Sequence, residues 1–267
     1  EQWTKHKTEY DVISGSAGAI LALISFYQQT NNRQAINIAN KFAYKLISAY
    51  LPQGQGWSNE NNEVLTGFAH GSSGITYALI KLAEITNNFE FREGGLLALK
   101  AESEKFEPSI NNWPDTRYGD KSIQNSCAMT AWCHGAVGIG LSRLGLLTDA
   151  PTFSSEFINK DIHRAITLLA TSKIEDETLC HGNMGNFELF HSAILQGIAT
   201  EMSQKQLVAL VKEKIKRICA TGIYHPSSIS PFFPGLMTGF AGIGYQLLRF
   251  TYPERVPNIL LLGFFRE

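Results

Sequence analysis

Two stretches of the chain place a thiol beside an imidazole and follow the pair with glycine. They are "TAWCHGAVGIG", residues 130–140, with Cys133 and His134, and "TLCHGNMGN", residues 178–186, with Cys180 and His181. Thiolate and imidazole together favour zinc over magnesium or calcium. Four such ligands would close a structural site; three leave an open position where chemistry can occur. Cys133 and Cys180 lie 47 residues apart, so a site built from both sits at the centre of a fold rather than in a finger. Spacing alone does not decide which histidine binds. The alternative is that the thiols are ordinary small hydrophobes. Cys127 and Cys219 read that way, with Cys219 expected to be buried at the end of a helical pattern.

The elements that position these pairs come from a repeat. A Gly-x-x-Gly unit followed by an apolar run starts at Gly15, Gly71, Gly135, Gly182 and Gly239, at intervals of 56, 64, 47 and 57 residues. Between the units lie one-sided helical patterns. Residues 35–50 carry Ala35, Ile38, Ala39, Phe42, Ala43, Leu46 and Ile47 on one face, with similar faces at 158–170 and 206–218. The segment 91–106 fits less well because Gly94 and Gly95 interrupt it. Helices apolar all round are buried and one-sided helices face water. The expected fold is therefore all-α: an α/α toroid of glycine-led inner helices and amphipathic outer ones. All inner helices then start at one end. Their free N–H groups and positive dipole ends converge there, with Asp11, His70, Cys133, His134, Cys180 and His181 lining a central pocket.

The totals narrow the function. In 267 residues, 44% are hydrophobic and the net charge is −1. That supports a sizeable core and gives no electrostatic case for nucleic acid. The longest apolar run, residues 17–24, is too short to span a bilayer. Four cysteines in a chain this long are not a disulfide framework, which fits a reducing compartment. Among the remaining candidates, Trp132 reads as a pocket wall or core residue. His163 reads as solvated, His191 as packing and His225 as a turn residue.

The phrases "YDVISGSAG", "TGFAHGSSGI", "AWCHGAVGIGLSRL", "LCHGNMGN" and "PGLMTGFAGIGYQLLR" resemble the cyclase domain of lanthipeptide synthetases, the lanthionine synthetase C-like family. "NWPD" and "VPNILLLG" resemble the class II, LanM-type members in particular. The resemblance implies an α/α barrel with zinc on Cys133, Cys180 and His181, and with His134 beside the metal without binding it. It implies His70 as general acid/base, with Asp11 matching an aspartate ahead of the first glycine unit. The implied activity is addition of a precursor-peptide cysteine to a dehydroalanine or dehydrobutyrine, in the cytoplasm, giving a thioether ring. A free thiol, with a pKa of ~8.5, needs such activation at neutral pH. Helix N-termini are expected to help stabilise the enolate formed on addition.

The family builds about seven glycine-led helices where five are visible here. Residues 1–267 are therefore expected to be the C-terminal part of one cyclase domain. Its first helices, and an N-terminal dehydratase domain as partner, would lie outside this chain. A second departure is Met129, which stands where related stand-alone cyclases carry an arginine; any role of that arginine is expected to be absent. Two other readings remain: a prenyltransferase-like thiol-alkylating barrel, and a zinc-stabilised peptide-binding module without cyclase activity.

Overall fold

The computed structural model describes residues 9–51, 56–59, 61–118, 128–198, 201–221 and 233–263. Cys127 and His225 lie outside the described residues. Nine α-helices occur among those described: α1 (Ser16–Thr30), α2 (Arg33–Ala49), α3 (Ser72–Thr86), α4 (Phe89–Glu104), α5 (Ala136–Asp149), α6 (Glu156–Thr171), α7 (Asn183–Leu195), α8 (Glu201–Thr221) and α9 (Phe240–Thr251). Extended pairing among the described residues is limited to isolated bridges. Packing follows the expected alternation. The inner helices α1, α3, α5, α7 and α9 contact one another in that order, and α2, α4, α6 and α8 each back onto the inner helix before them. Among the described residues no helix is long and apolar enough to cross a membrane.

Burial separates the two layers. In α3 every residue from Ser72 to Ala83 is buried, and in α5 every residue from Ala136 to Leu146. The outer α6 buries Ile158, Asp161, Ile162, Ala165 and Leu169 and keeps His163 exposed. In α2 the buried face is Ala35, Ile36, Ala39, Ala43 and Leu46; Ile38 is exposed instead, so the stripe is rotated slightly from the predicted one. Gly94 and Gly95 do not interrupt α4. Side-chain atoms of Ile47 and Ile80 occupy the space where their Cβ atoms would be, so here the glycines allow close helix packing. Cys219 is exposed on α8, contrary to the burial expected from its place in the pattern.

The two layers also begin differently. Three of the outer helices, α2, α4 and α6, start with side-chain caps: Asn32 accepts from the Gln34 N–H, Asn88 from Glu90 and Phe91, and Ser155 from Phe157. Such a cap is worth about 1 kcal/mol. Inner helices start at glycine with no side-chain cap. Their leading N–H groups donate to carbonyls seven residues earlier: Ser16, Ala17 and Gly18 to Glu9, Tyr10 and Asp11, Ser72 to Leu65, Gly138 to Ala131, Asn183 to Asp176 and Phe240 to Phe233. The loop therefore curls back over its own helix end. The fourth residue of each unit must be glycine, because a Cβ there would sit about 2 Å from the carbonyl oxygen six residues back (2.0 Å for Gly18 on Val12, 2.1 Å for Gly138 on Trp132).

Two buried charge clusters lock neighbouring helices. Arg143 on α5 donates to Glu102 of α4 at 2.9 Å and to Asp161 of α6 at 3.2 Å, all three side chains fully buried. Glu188 on α7 accepts from Arg249 of α9 at 2.9 and 3.0 Å, from Gln246, and from Asn258 at 3.0 Å. Asn258 opens a 3-10 turn, Ile259–Leu261, that seals the core. The Trp132 indole donates to the Leu260 carbonyl at 2.9 Å and the Ser25 hydroxyl to that of Leu262 at 3.3 Å. Trp132 is thus a core residue. His191 packs edge-on against Phe250.

Candidate active site

The five loops that precede the inner helices are joined through their backbones. Val12 N–H donates to Ala69 O at 3.0 Å, Phe68 to Trp132 at 3.3 Å, Cys133 to Cys180 at 3.3 Å and Cys180 to Met237 at 2.9 Å. Each loop is thereby registered on the next, and the residues just ahead of the glycines come together at one end. Gly67 makes the second contact possible. Its φ is +103°, and a Cβ there would lie 2.6 Å from His134 Cα.

Two groupings result. In the first, Cys133, Cys180 and His181 bring their donor atoms within 4.8 Å of one another. Cys133 is buried, Cys180 and His181 half-buried. Hydrogen bonding from the Cys180 thiol outweighs burial and, with His181, pulls the Cys133 thiol down to about 4. Cys180, as the donor, is pushed up. His181 is raised to about 10, first by Asp176 and then by Cys133. Burial opposes ionisation of Asp176, yet its hydrogen bonds to His181 and Thr178 hold it at about 2. Two sulfurs and one imidazole suit zinc with a position left open. A carboxylate on the third ligand's ring, 3.4 Å from His181 Nε2, is the usual support for such a histidine.

In the second grouping, His70 Nδ1 lies 2.8 Å from Asp11 Oδ2. Asp11 Oδ1 accepts from the Ser14 N–H at 2.9 Å. Burial pushes Asp11 upward, but the contacts with His70 and Ser14 leave it below the ordinary carboxylate value. The His70 ring stacks on that of His134, centroids 5.2 Å apart. Asp11, His70 and His134 line one cavity of about 540 Å³ together with Tyr10, Trp57 and Arg117. His134 belongs to this cavity rather than to the donor trio, although Cys133 is its chain neighbour.

The expected use of helix N-termini needs correction. All three leading N–H groups of α1 are taken by loop carbonyls. In α3 Ser72 donates to Leu65 O, and Ser73 to Glu102 Oε1 at 3.1 Å. These ends are satisfied from within the protein and do not offer those donors to a ligand. Sequence reasoning also passed over Asp176, Glu102 and Arg117. Asp176 sits five residues before His181, a spacing that signals nothing until the loop curls back.

The family model of the lanthionine synthetase C-like protein matches residues 1–261. The chain belongs to the lanthionine synthetase C-like family. One curated relative is the lacticin 481/lactococcin biosynthesis protein LcnDR2 of Lactococcus lactis subsp. lactis, 26% identical over 257 residues. That match covers 90% of this chain and 25% of the relative. Among solved structures, nisin cyclase superposes with a TM-score of 0.66 at 20% identity, covering 92% of this chain and 64% of that one. The chain thus spans about a quarter of the first relative and under two thirds of the second. The shared fold with nisin cyclase is the α/α toroid.

Proposed function

We propose that this family member is a lanthionine cyclase that closes thioether rings in a precursor peptide. The observation that carries the reading is the placement of a Cys-Cys-His donor trio beside a cavity holding a carboxylate-bound imidazole. Family membership supports it. The reaction adds a cysteine S–H across the C=C bond of dehydroalanine or dehydrobutyrine. Zinc on Cys133, Cys180 and His181 would keep an incoming thiol deprotonated at neutral pH.

The remaining work falls to the chain's own residues. Asp11 holds Nδ1–H of His70 and directs Nε2 to the cavity. Nε2 accepts the thiol proton; sulfur bonds to Cβ and the alkene electrons move onto the carbonyl oxygen. The proton on Nε2 then goes to Cα, and the enolate returns to a carbonyl. One S–C and one C–H bond form as one S–H bond and one π bond break. The dehydro residue must be made by loss of water from serine or threonine, so the proposal includes a dehydratase partner. A cytoplasmic setting suits free thiolate ligands.

The test incubates the zinc-loaded native polypeptide with a dehydrated precursor peptide and counts free thiols by alkylation and mass spectrometry. Thiols should disappear without a mass change, and Cys133→Ala should lose both zinc and ring formation while His134→Ala keeps the zinc. The zinc-stabilised binding module predicts the other outcome: a folded, zinc-loaded, peptide-binding protein that leaves every thiol free.

A further inference from the structure

Addition to a dehydro residue places negative charge on a carbonyl oxygen, and that oxygen needs a positively charged or N–H partner. The leading N–H groups of α1 and the first two of α3 are already engaged. Two carboxylates, Glu9 and Asp11, line the cavity as well, which makes the need greater. Among its described lining residues, Arg117 is the one arginine or lysine.

Its placement is built. The segment 112–118 is pinned on both sides: Asn112 donates to Met129 O at 3.2 Å, Thr66 to Pro114 O at 3.4 Å, and Thr116 to Val64 O at 3.2 Å. Asp115, 3% exposed at its side chain, grips the guanidinium in a fork, Nε at 2.9 Å and Nη2 at 2.6 Å. Nη2 also lies 2.9 Å from the Met129 sulfur. The third feature is that the guanidinium lines the same cavity as His134 and His70. Met129 and Arg117 thus share one neighbourhood, which the guanidinium reaches from the loop that follows "NWPD".

We propose that Arg117 binds the carbonyl oxygen of the dehydro residue and stabilises the enolate formed as sulfur adds to Cβ. This rests on the cyclase reading above. Arg117 donates hydrogen bonds only; the thiol proton still travels to Cα, and no further reactant is required. Asp115 is then a positioning residue, holding the fork at a fixed angle.

The experiment uses the zinc-loaded native polypeptide and a synthetic peptide with one dehydroalanine and one cysteine. Rate, zinc content and thermal midpoint are measured for the wild type, Arg117→Ala, and Arg117→Ala with Met129→Arg. Arg117→Ala should lower kcat on the order of 10²-fold with zinc retained, and lower the midpoint because buried Asp115 loses its counter-charge. Added guanidinium ion, or the second substitution, should restore at least tenfold. A slow variant moved by neither, or a variant with wild-type rate, overturns the proposal. If Arg117→Ala loses fold and zinc together, Arg117→Gln is used instead, since its amide can still donate to Asp115. The same joint loss there would make Arg117 structural and overturn the assignment. Absence of ring closure by the zinc-loaded wild type would instead sink the cyclase reading itself.

Discussion

At the scale of single residues, the metal-free donor trio carries protons that a metal must displace. The hydrogen bond from Cys180 draws the Cys133 thiol down, Cys180 is pushed up, and Asp176 and Cys133 raise His181, so one thiolate, one thiol and one imidazolium are the expected occupants near neutral pH. Binding through both sulfurs and a neutral ring therefore releases one proton from Cys180 and one from His181. Affinity for zinc should rise about 100-fold per pH unit at neutral pH, as expected for two displaced protons. Titration of the apoprotein with zinc in weakly buffered indicator dye measures the release directly; a release near zero would mean that the sulfurs were already ionised or do not bind. A second prediction concerns His70. If its Nε2 carries the proton to Cα, His70→Asn should slow ring closure about 10²–10⁴-fold while zinc content stays the same. A parallel fall in zinc, midpoint and rate would reveal a structural histidine.

At the scale of elements, the inner helices and their loops form the decisive unit, and they were only half legible in the sequence. The repeated glycines announced five buried helices because a fourth-position glycine and an apolar run are local features. What the glycines accommodate, a loop carbonyl six residues back, is set by the curl of the chain and has no residue signature. The same holds for Arg117, brought to Met129 across twelve residues by side chains of Asn112, Thr66 and Thr116 that donate to backbone carbonyls. Charged residues within helices were missed for a different reason. Glu102, Arg143 and Asp161 are all charged, yet all three are buried, because the Arg143 guanidinium bridges the two carboxylates and Arg164 adds a second cation on Asp161. Ile36 and Ile38 changed places since either falls near the edge of the apolar stripe. One substitution tests the loop register itself. Gly67→Ala introduces a side chain at positive φ, where strain costs of order 1–3 kcal/mol, and drives its Cβ onto the His134 backbone. Stability should fall by at least that much, and ring closure should suffer more than stability alone explains. A melting curve and a rate on one preparation separate the two effects.

At the scale of the whole molecule, acid should open the side of the barrel closed by α7, α9 and the C-terminal turn. Glu188 is fully buried, which by itself would raise its pKa. His191 and Arg249 more than reverse this and hold it at about 2, against 4.5 for a free carboxylate. A depressed carboxylate pKa means stability that is complete above 4.5 and is lost as pH falls toward 2. The difference corresponds to about 3 kcal/mol. Glu188→Gln should remove this pH dependence while lowering the midpoint at neutral pH, since Arg249 would be left without its counter-charge. Thermal melts of both proteins between pH 2 and pH 6 decide the matter, and parallel curves would place the acid sensitivity elsewhere.

The successive loops are tied to one another by main-chain amides, and this sets how the site can change through evolution. An amide hydrogen bond is blind to the side chain that hangs from it. The collar keeps its shape whether the residue beside it is a cysteine, a histidine or a serine, so chemistry here can be exchanged without rebuilding the scaffold. Mutations that alter what the ring of loops does are cheap in stability, whereas mutations at its glycines are not. A lineage with this architecture can therefore explore new ligands and new acids at the mouth of the barrel while its frame stays under constant constraint.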